Sequence, residues 1–167
     1  HLRMAGWANG QLDLYPGAEH EIMMEGPAML TRFFDRATAL FDSLPPGADR
    51  GAKTVFGVFV DQTMVGCVDL VRGYPVPTTA MLGLLLIAEE RQRCGLGSAT
   101  LRSLERMVRA WSDDTIRIGV VASNEAALAF WRASGFVDTG ETRPWVDGAV
   151  TSDIVAMEKR LDRALPE

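Results

Sequence analysis

Apolar positions along this chain follow two rhythms, one helical and one strand-like, and the changes between them outline the elements. Leu30, Phe33, Phe34, Ala37, Leu40, Phe41 and Leu44 recur at helical spacing behind Pro27, and Pro45-Pro46-Gly47 stops the run. The spacing predicts a helix over 27–44. Residues 54–60 and 64–71 are rich in valine and phenylalanine and flank Asp61-Gln62-Thr63, which predicts a hairpin. Gly73-Tyr74-Pro75-Val76-Pro77 interrupts the sheet. Residues 80–88 are almost entirely apolar, the pattern of a strand buried on both faces. Leu101, Leu104, Met107, Val108 and Trp111 then line one face of a helix that Asp113-Asp114 ends, and 115–122 is another apolar strand. Strand, helix and strand with short links form a crossover, so 80–88 and 115–122 are expected to run parallel. Asn124 is placed to cap a second helix and Gly135 to terminate it. Residues 136–143 and 151–159 pair around Asp147-Gly148. The first 26 residues are weakly periodic and read as irregular, with one short strand. The expectation is a single α+β domain over 1–167 with a mixed sheet and flanking helices.

Composition narrows the function. The 167 residues are 47% apolar and 23% charged, the balance of a globular chain that buries about two-thirds of its unfolded surface. No apolar run reaches the ~20 residues of a membrane span, and the N-terminus lacks the pattern of a secretory signal. A cytoplasmic protein without a membrane partner is therefore expected. The net charge of -5 argues against nucleic acid as a partner and mildly favours cationic small molecules. Cys67 and Cys94 form no C-x-x-C pair, so a metal site has no support; two free thiols fit better than a disulfide, which the sequence alone leaves open. His1 and His20 are the only histidines, and without a G-x-S-x-G elbow a serine or cysteine nucleophile system is disfavoured.

The chemistry concentrates in one turn. Leu84-Leu85-Leu86-Ile87 runs into Ala88-Glu89-Glu90-Arg91-Gln92-Arg93-Cys94-Gly95-Leu96-Gly97-Ser98, where a helix begins. Backbone N–H groups in such a turn are unpaired by the helix ladder and converge with the positive end of its dipole, a site suited to phosphates. Gly95 and Gly97 allow close approach, and Arg91 and Arg93 add charge. The glycines could equally do no more than shape a tight turn. A dinucleotide fingerprint is incomplete because Thr100 stands where the third glycine belongs, and a P-loop fails for want of Gly-Lys-Ser/Thr.

Gln92-Arg93-Cys94-Gly95-Leu96-Gly97 resembles the acyl-CoA signature Gln/Arg-x-x-Gly-x-Gly/Ala of the GNAT (GCN5-related N-acetyltransferase) superfamily. Farther on, Asn124 to Phe136 resembles its second element, Asn-x-x-Ala-x-x-Phe-Tyr-x-x-x-Gly-Phe. The likeness covers about 54–159, with 1–53 as a variable N-terminal part. It implies a mostly antiparallel sheet with one splayed parallel pair. The pantetheine arm of acetyl-CoA would lie along Leu85, Leu86 and Ile87 like an added strand. The pyrophosphate would rest on Gln92, Arg93, Cys94, Gly95, Leu96, Gly97 and Ser98, with Asn124, Phe130 and Trp131 on the other wall. A small-molecule primary amine would attack the thioester directly in a ternary complex, without a metal. Homodimers are frequent in the family. A peptide or protein acceptor is the near alternative, and an acyl-CoA-binding regulatory module without catalysis the distant one.

The sequence departs from the family pattern at the catalytic groups. Trp131 stands where a tyrosine usually protonates the leaving thiolate, and an indole is no useful acid at neutral pH. Packing of the acyl pocket and a plain core position are its other readings, and Tyr74 is a weaker substitute acid. The strand before the turn holds no carboxylate, so Asp69 becomes the candidate base, against a reading as an edge position facing water. Deprotonating a lysine-like amine at pH 7 costs on the order of 4–5 kcal/mol, so a base or water chain is needed. Acceptor specificity is expected from 1–53, the 73–79 loop and the 143–151 hairpin, with Tyr74 and Trp145 as walls.

Overall fold

A computed structural model describes residues 2–7, 44–147 and 150–161. The helix expected over 27–44 falls outside the described residues except for Leu44. The described strands are β1 (Leu2–Trp7), β2 (Lys53–Val60), β3 (Thr63–Arg72), β4 (Thr79–Ile87), β5 (Thr115–Val121), β6 (Val137–Asp147) and β7 (Val150–Arg160). Two α-helices accompany them, α1 (Leu96–Ala110) and α2 (Glu125–Ala133). The strands hydrogen-bond in the order β1-β2-β3-β4-β5-β7-β6, a mixed and mostly antiparallel sheet. The chain divides into two compact units, residues 1–71 with 84–101 and residues 72–83 with 102–167.

In the first unit β1 pairs antiparallel with β2, Leu2 opposite Val60, and β2 pairs with β3, Lys53 opposite Val71. The hairpin closes more tightly than the sequence suggests, because Thr63 already belongs to β3. Asp61 takes the left-handed conformation (φ 56°) that a two-residue turn demands and that aspartate tolerates. Val55, Val58, Val65, Val68, Leu70 and Val71 are buried, so both faces of this hairpin are covered.

In the second unit Thr79 to Leu82 of β4 pair parallel with Thr115 to Ile118 of β5, as the crossover requires. β5 pairs antiparallel with β7, and β7 with β6. Leu104, Val108, Ile116, Ile118, Phe136 and Met157 form the core. The Asn124 side chain accepts from the Ala127 N–H at 3.0 Å, the expected N-cap, and Gly135 (φ 88°) ends α2.

One expectation fails in a revealing way. Thr79, Ala80 and Leu82 of β4 are buried, but Gly83 is exposed and Leu84, Leu85 and Leu86 are only half-buried. The registered β4–β5 pairs end at Leu82 and Ile118, whereas β4 continues to Ile87. The apolar run is therefore only half covered from Leu84 to Leu86, before Ile87 is buried again.

Candidate functional site

The end of β4 and the turn beyond it belong to one compact unit. Ala88 donates to Val65 O at 2.8 Å, fastening the chain to β3 as it leaves the strand. Arg91 then donates to Ala88 O at 2.8 Å and Gln92 to Glu89 O at 3.1 Å, closing a single 3-10 turn. The backbone reverses at Arg93 (φ 58°) and Gly95 (φ 84°), and α1 opens with Ala99 donating to Gly95 O at 3.0 Å. Among the described residues, none of the N–H groups from Arg93 through Ser98 has a backbone acceptor. Gly95 is exposed, and a Cβ there would meet nothing within 4 Å. A row of free donors before a helix N-terminus, with open space above it, is built for an anion.

Two neighbouring details were not legible in the sequence. A Cβ on Gly66 of β3 would lie 2.2 Å from the Leu86 carbonyl oxygen, so only glycine lets β3 approach the end of β4. A glycine inside an apolar strand run is the signal that could have flagged it. The Gln92 side-chain amide donates to the Ile87 carbonyl at 2.9 Å. Ile87 therefore presents a carbonyl that already holds a donor, and Leu86 turns its own toward Gly66.

Asp69 does not face water. It is 4% exposed, and its Oδ2 accepts from Lys53 Nζ at 3.0 Å while Oδ1 is buried without a hydrogen-bond partner. The edge-position reading is corrected: β3 is covered by neighbours, and Lys53, diagonal to Asp69 in the β2–β3 register, supplies the charge. Burial pushes the Asp69 carboxyl above the ordinary carboxylate range, against the opposing pull of Lys53. The folded chain thus holds this proton more tightly than the unfolded one. Its contribution to stability is fully present below the ordinary carboxylate pKa and is lost as pH rises through the raised value. Asp69→Asn should flatten that decline, read by urea denaturation of both proteins between about pH 4 and 7; parallel profiles would refute it. Lys53→Met, which strands the carboxylate, should cost about 3–5 kcal/mol in the same assay at neutral pH, and adding Asp69→Leu should recover most of the loss.

Cys67 and Cys94 are free thiols. Burial, helped by Asp69, pushes Cys67 up to about 11 and makes it unreactive. Cys94 is exposed in the turn and its Sγ donates to Arg91 O at 2.7 Å.

In the second unit Trp131 is 8% exposed, with its ring edge-on to Phe130 at 4.9 Å and to Phe136 at 5.1 Å. Phe130 is half-buried, and the Asn124 side-chain oxygen serves the helix cap. Tyr74 and Trp145 are half-buried. Among the described residues there is no group of three His, Cys, Asp or Glu able to hold a metal, and no helix long and apolar enough to cross a membrane.

A family model described as the acetyltransferase (GNAT) family matches residues 20–136. The chain belongs to that family. GNAT enzymes use acetyl-CoA as co-substrate. The ribosomal-protein-S18-alanine N-acetyltransferase of Escherichia coli has a similar structure, with TM-score 0.64 and 19% identity over 98% of this chain and 96% of that one. A GNAT acetyltransferase of Elizabethkingia anophelis with acetyl-CoA bound gives TM-score 0.59 and 14% identity, covering 96% and 98%. PaiA N-acetyltransferase of Thermoplasma acidophilum in complex with coenzyme A gives TM-score 0.52 and 23% identity, covering 64% and 59%. At these identities the likeness is one of fold. A search of curated protein sequences gives no significant match.

Proposed function

We propose that this GNAT chain transfers the acetyl group of acetyl-CoA to a primary amine of a small molecule. The observation that carries the reading is the unpaired N–H row from Arg93 to Ser98 at the foot of α1. Arg93 to Ser98 would hold the pyrophosphate, with the positive charge of Arg91 and Arg93 beside it and Gln92, whose N–H is given to Glu89 O, at the edge of the cradle. The half-buried Leu85 and its neighbours on β4 would carry the pantetheine arm as an added strand. Because Leu86 directs its carbonyl at β3 and Gln92 occupies that of Ile87, this bonding would fall mainly to Leu85. The substrate ammonium first gives one proton to solvent, the free amine attacks the thioester carbonyl, the coenzyme leaves as thiolate, and the second proton, lost by the nitrogen of the adduct, restores the thiol. The net charge of -5 favours such cationic acceptors.

Neither candidate acid or base is well placed to move that proton. Asp69 is held in a buried ion pair, and Trp131 is wedged between two phenylalanine rings. We assign both to the architecture, and Asn124 with them, leaving solvent and the substrate ammonium as proton carriers. Phe130, half-buried on α2, is the residue of that motif left to meet a ligand. The same two observations favour a second reading, an acyl-CoA-binding module without turnover. Thiol release over a panel of amines and short peptides separates the readings. Release with a small amine supports the first, release with peptides alone moves the acceptor class, and tight acetyl-CoA binding without release supports the second.

Binding itself is tested at Gly97, half-exposed in the first turn of α1. Gly97→Trp should fill the cradle and weaken coenzyme A by calorimetry at least about tenfold, with Tm shifted by only a few degrees. Equal affinity in that variant would remove the cradle from the site.

A further inference from the structure

We infer that the Gln92 side chain is a positioning residue that ties the phosphate-binding turn to the end of β4, an inference that rests on the acetyl-CoA reading above. Besides the Ala88 bond to Val65 O, which fastens the start of the turn to β3, two kinds of bond order the stretch from Ile87 to Ser98. The first are local: Arg91 to Ala88, Gln92 to Glu89, and Cys94 Sγ to Arg91 O. They shape the turn but fix it to nothing outside itself. The second is the 2.9 Å bond from Gln92 Nε2 to Ile87 O, which reaches back to the last residue of the strand. Gln92 is the last residue before the left-handed reversal at Arg93, where the free N–H groups begin. Its backbone there is extended (φ -73°, ψ 164°).

The position of this bond gives it a use. One coenzyme molecule must meet the edge of β4 with its arm and the turn with its pyrophosphate, so the distance between the two must already be right. A turn fastened only at its first residue, Ala88, would let its far end sample several distances, and binding would have to select one. A tether at the junction reduces that cost before the ligand arrives. It also gives the terminal strand carbonyl a partner, so that the edge presents Leu85 to the ligand without a competing acceptor at Ile87. The tether needs an N–H donor at the end of a long side chain. Glutamine supplies it without charge, and arginine would reach equally well.

The test uses the full chain and coenzyme A. Gln92→Leu keeps the bulk and removes the donor, whereas Gln92→Arg restores one. Gln92→Leu should weaken coenzyme A about tenfold by calorimetry, the scale of one lost hydrogen bond, with Tm in the absence of ligand nearly unchanged. Gln92→Arg should return affinity to within about threefold of the original. Amide hydrogen exchange without ligand supplies an independent readout: residues 88–98 should exchange faster in Gln92→Leu and recover in Gln92→Arg. Unchanged affinity and exchange in Gln92→Leu would overturn the inference, as would equal losses in both variants. If the unmodified chain takes up no coenzyme A, the acetyl-CoA reading fails instead, and exchange alone decides whether the tether exists.

Discussion

Gly66→Val should both destabilise the protein and abolish measurable coenzyme A binding. The first atom of any side chain at this position would stand 2.2 Å from the Leu86 carbonyl oxygen and 3.0 Å from Ile87 Cδ1. The nearer contact is backbone, so relief requires β3 and the end of β4 to separate. Overpacking of a core commonly costs about 1–3 kcal/mol, and a clash against main chain belongs at or above the top of that range. Separation would also disturb the Val65–Ala88 bond that starts the turn. Urea denaturation and calorimetry with coenzyme A measure the two effects. Gly140→Ala serves as a control: that residue has a positive φ (80°), which Gly66 lacks, but a Cβ there would meet nothing within 4 Å. It should cost only about 1 kcal/mol and leave binding intact. A stable Gly66→Val protein that binds coenzyme A normally would show that the close approach of β3 is not required.

Trp131→Ala should be the most damaging single truncation in the second unit, costing about 3–5 kcal/mol by urea denaturation. The indole is buried and contacts Phe130 and Phe136 edge-on, so its removal leaves a void that two rigid rings cannot fill. Trp131→Phe is the discriminating change. It keeps an aromatic ring in place and removes the indole N–H, so a packing role predicts a modest stability loss and a turnover within about threefold of the original. Loss of a working proton donor would instead lower kcat by about 10²–10⁴. Once an acceptor is in hand, a collapse of that size in a folded Trp131→Phe protein would return Trp131 to the chemistry.

The turn after β4, with its unpaired N–H groups, was legible because its properties are local. Two closely spaced glycines, a preceding apolar strand and a following helix define a stretch whose N–H groups the helix cannot pair, whatever packs elsewhere. The second motif was legible for a related reason: Asn124 and Gly135 punctuate α2 through their own backbone chemistry. Asp69 shows the opposite case. Its place in a strand could be read from the pattern around it, but its environment depends on Lys53, sixteen residues earlier and brought near by the β2–β3 register. Nothing in the strand's own sequence says which lysine will be there.

The sequence alone determined the order of the described strands and helices from β2 onward, the hairpin, the crossover and the glycine-containing turn before α1, since each follows from periodicity or from the conformational limits of a few residues. Only the tertiary structure decided that β4 is half covered from Leu84 to Leu86, that Gly66 admits the Leu86 carbonyl, and that Gln92 reaches back to Ile87. These depend on where the β4–β5 pairing ends and on which atoms meet across neighbouring strands. A run of leucines carries the same hydrophobicity whether it is covered by protein or left free to meet a ligand, so its exposure is set by its neighbours and not by its composition.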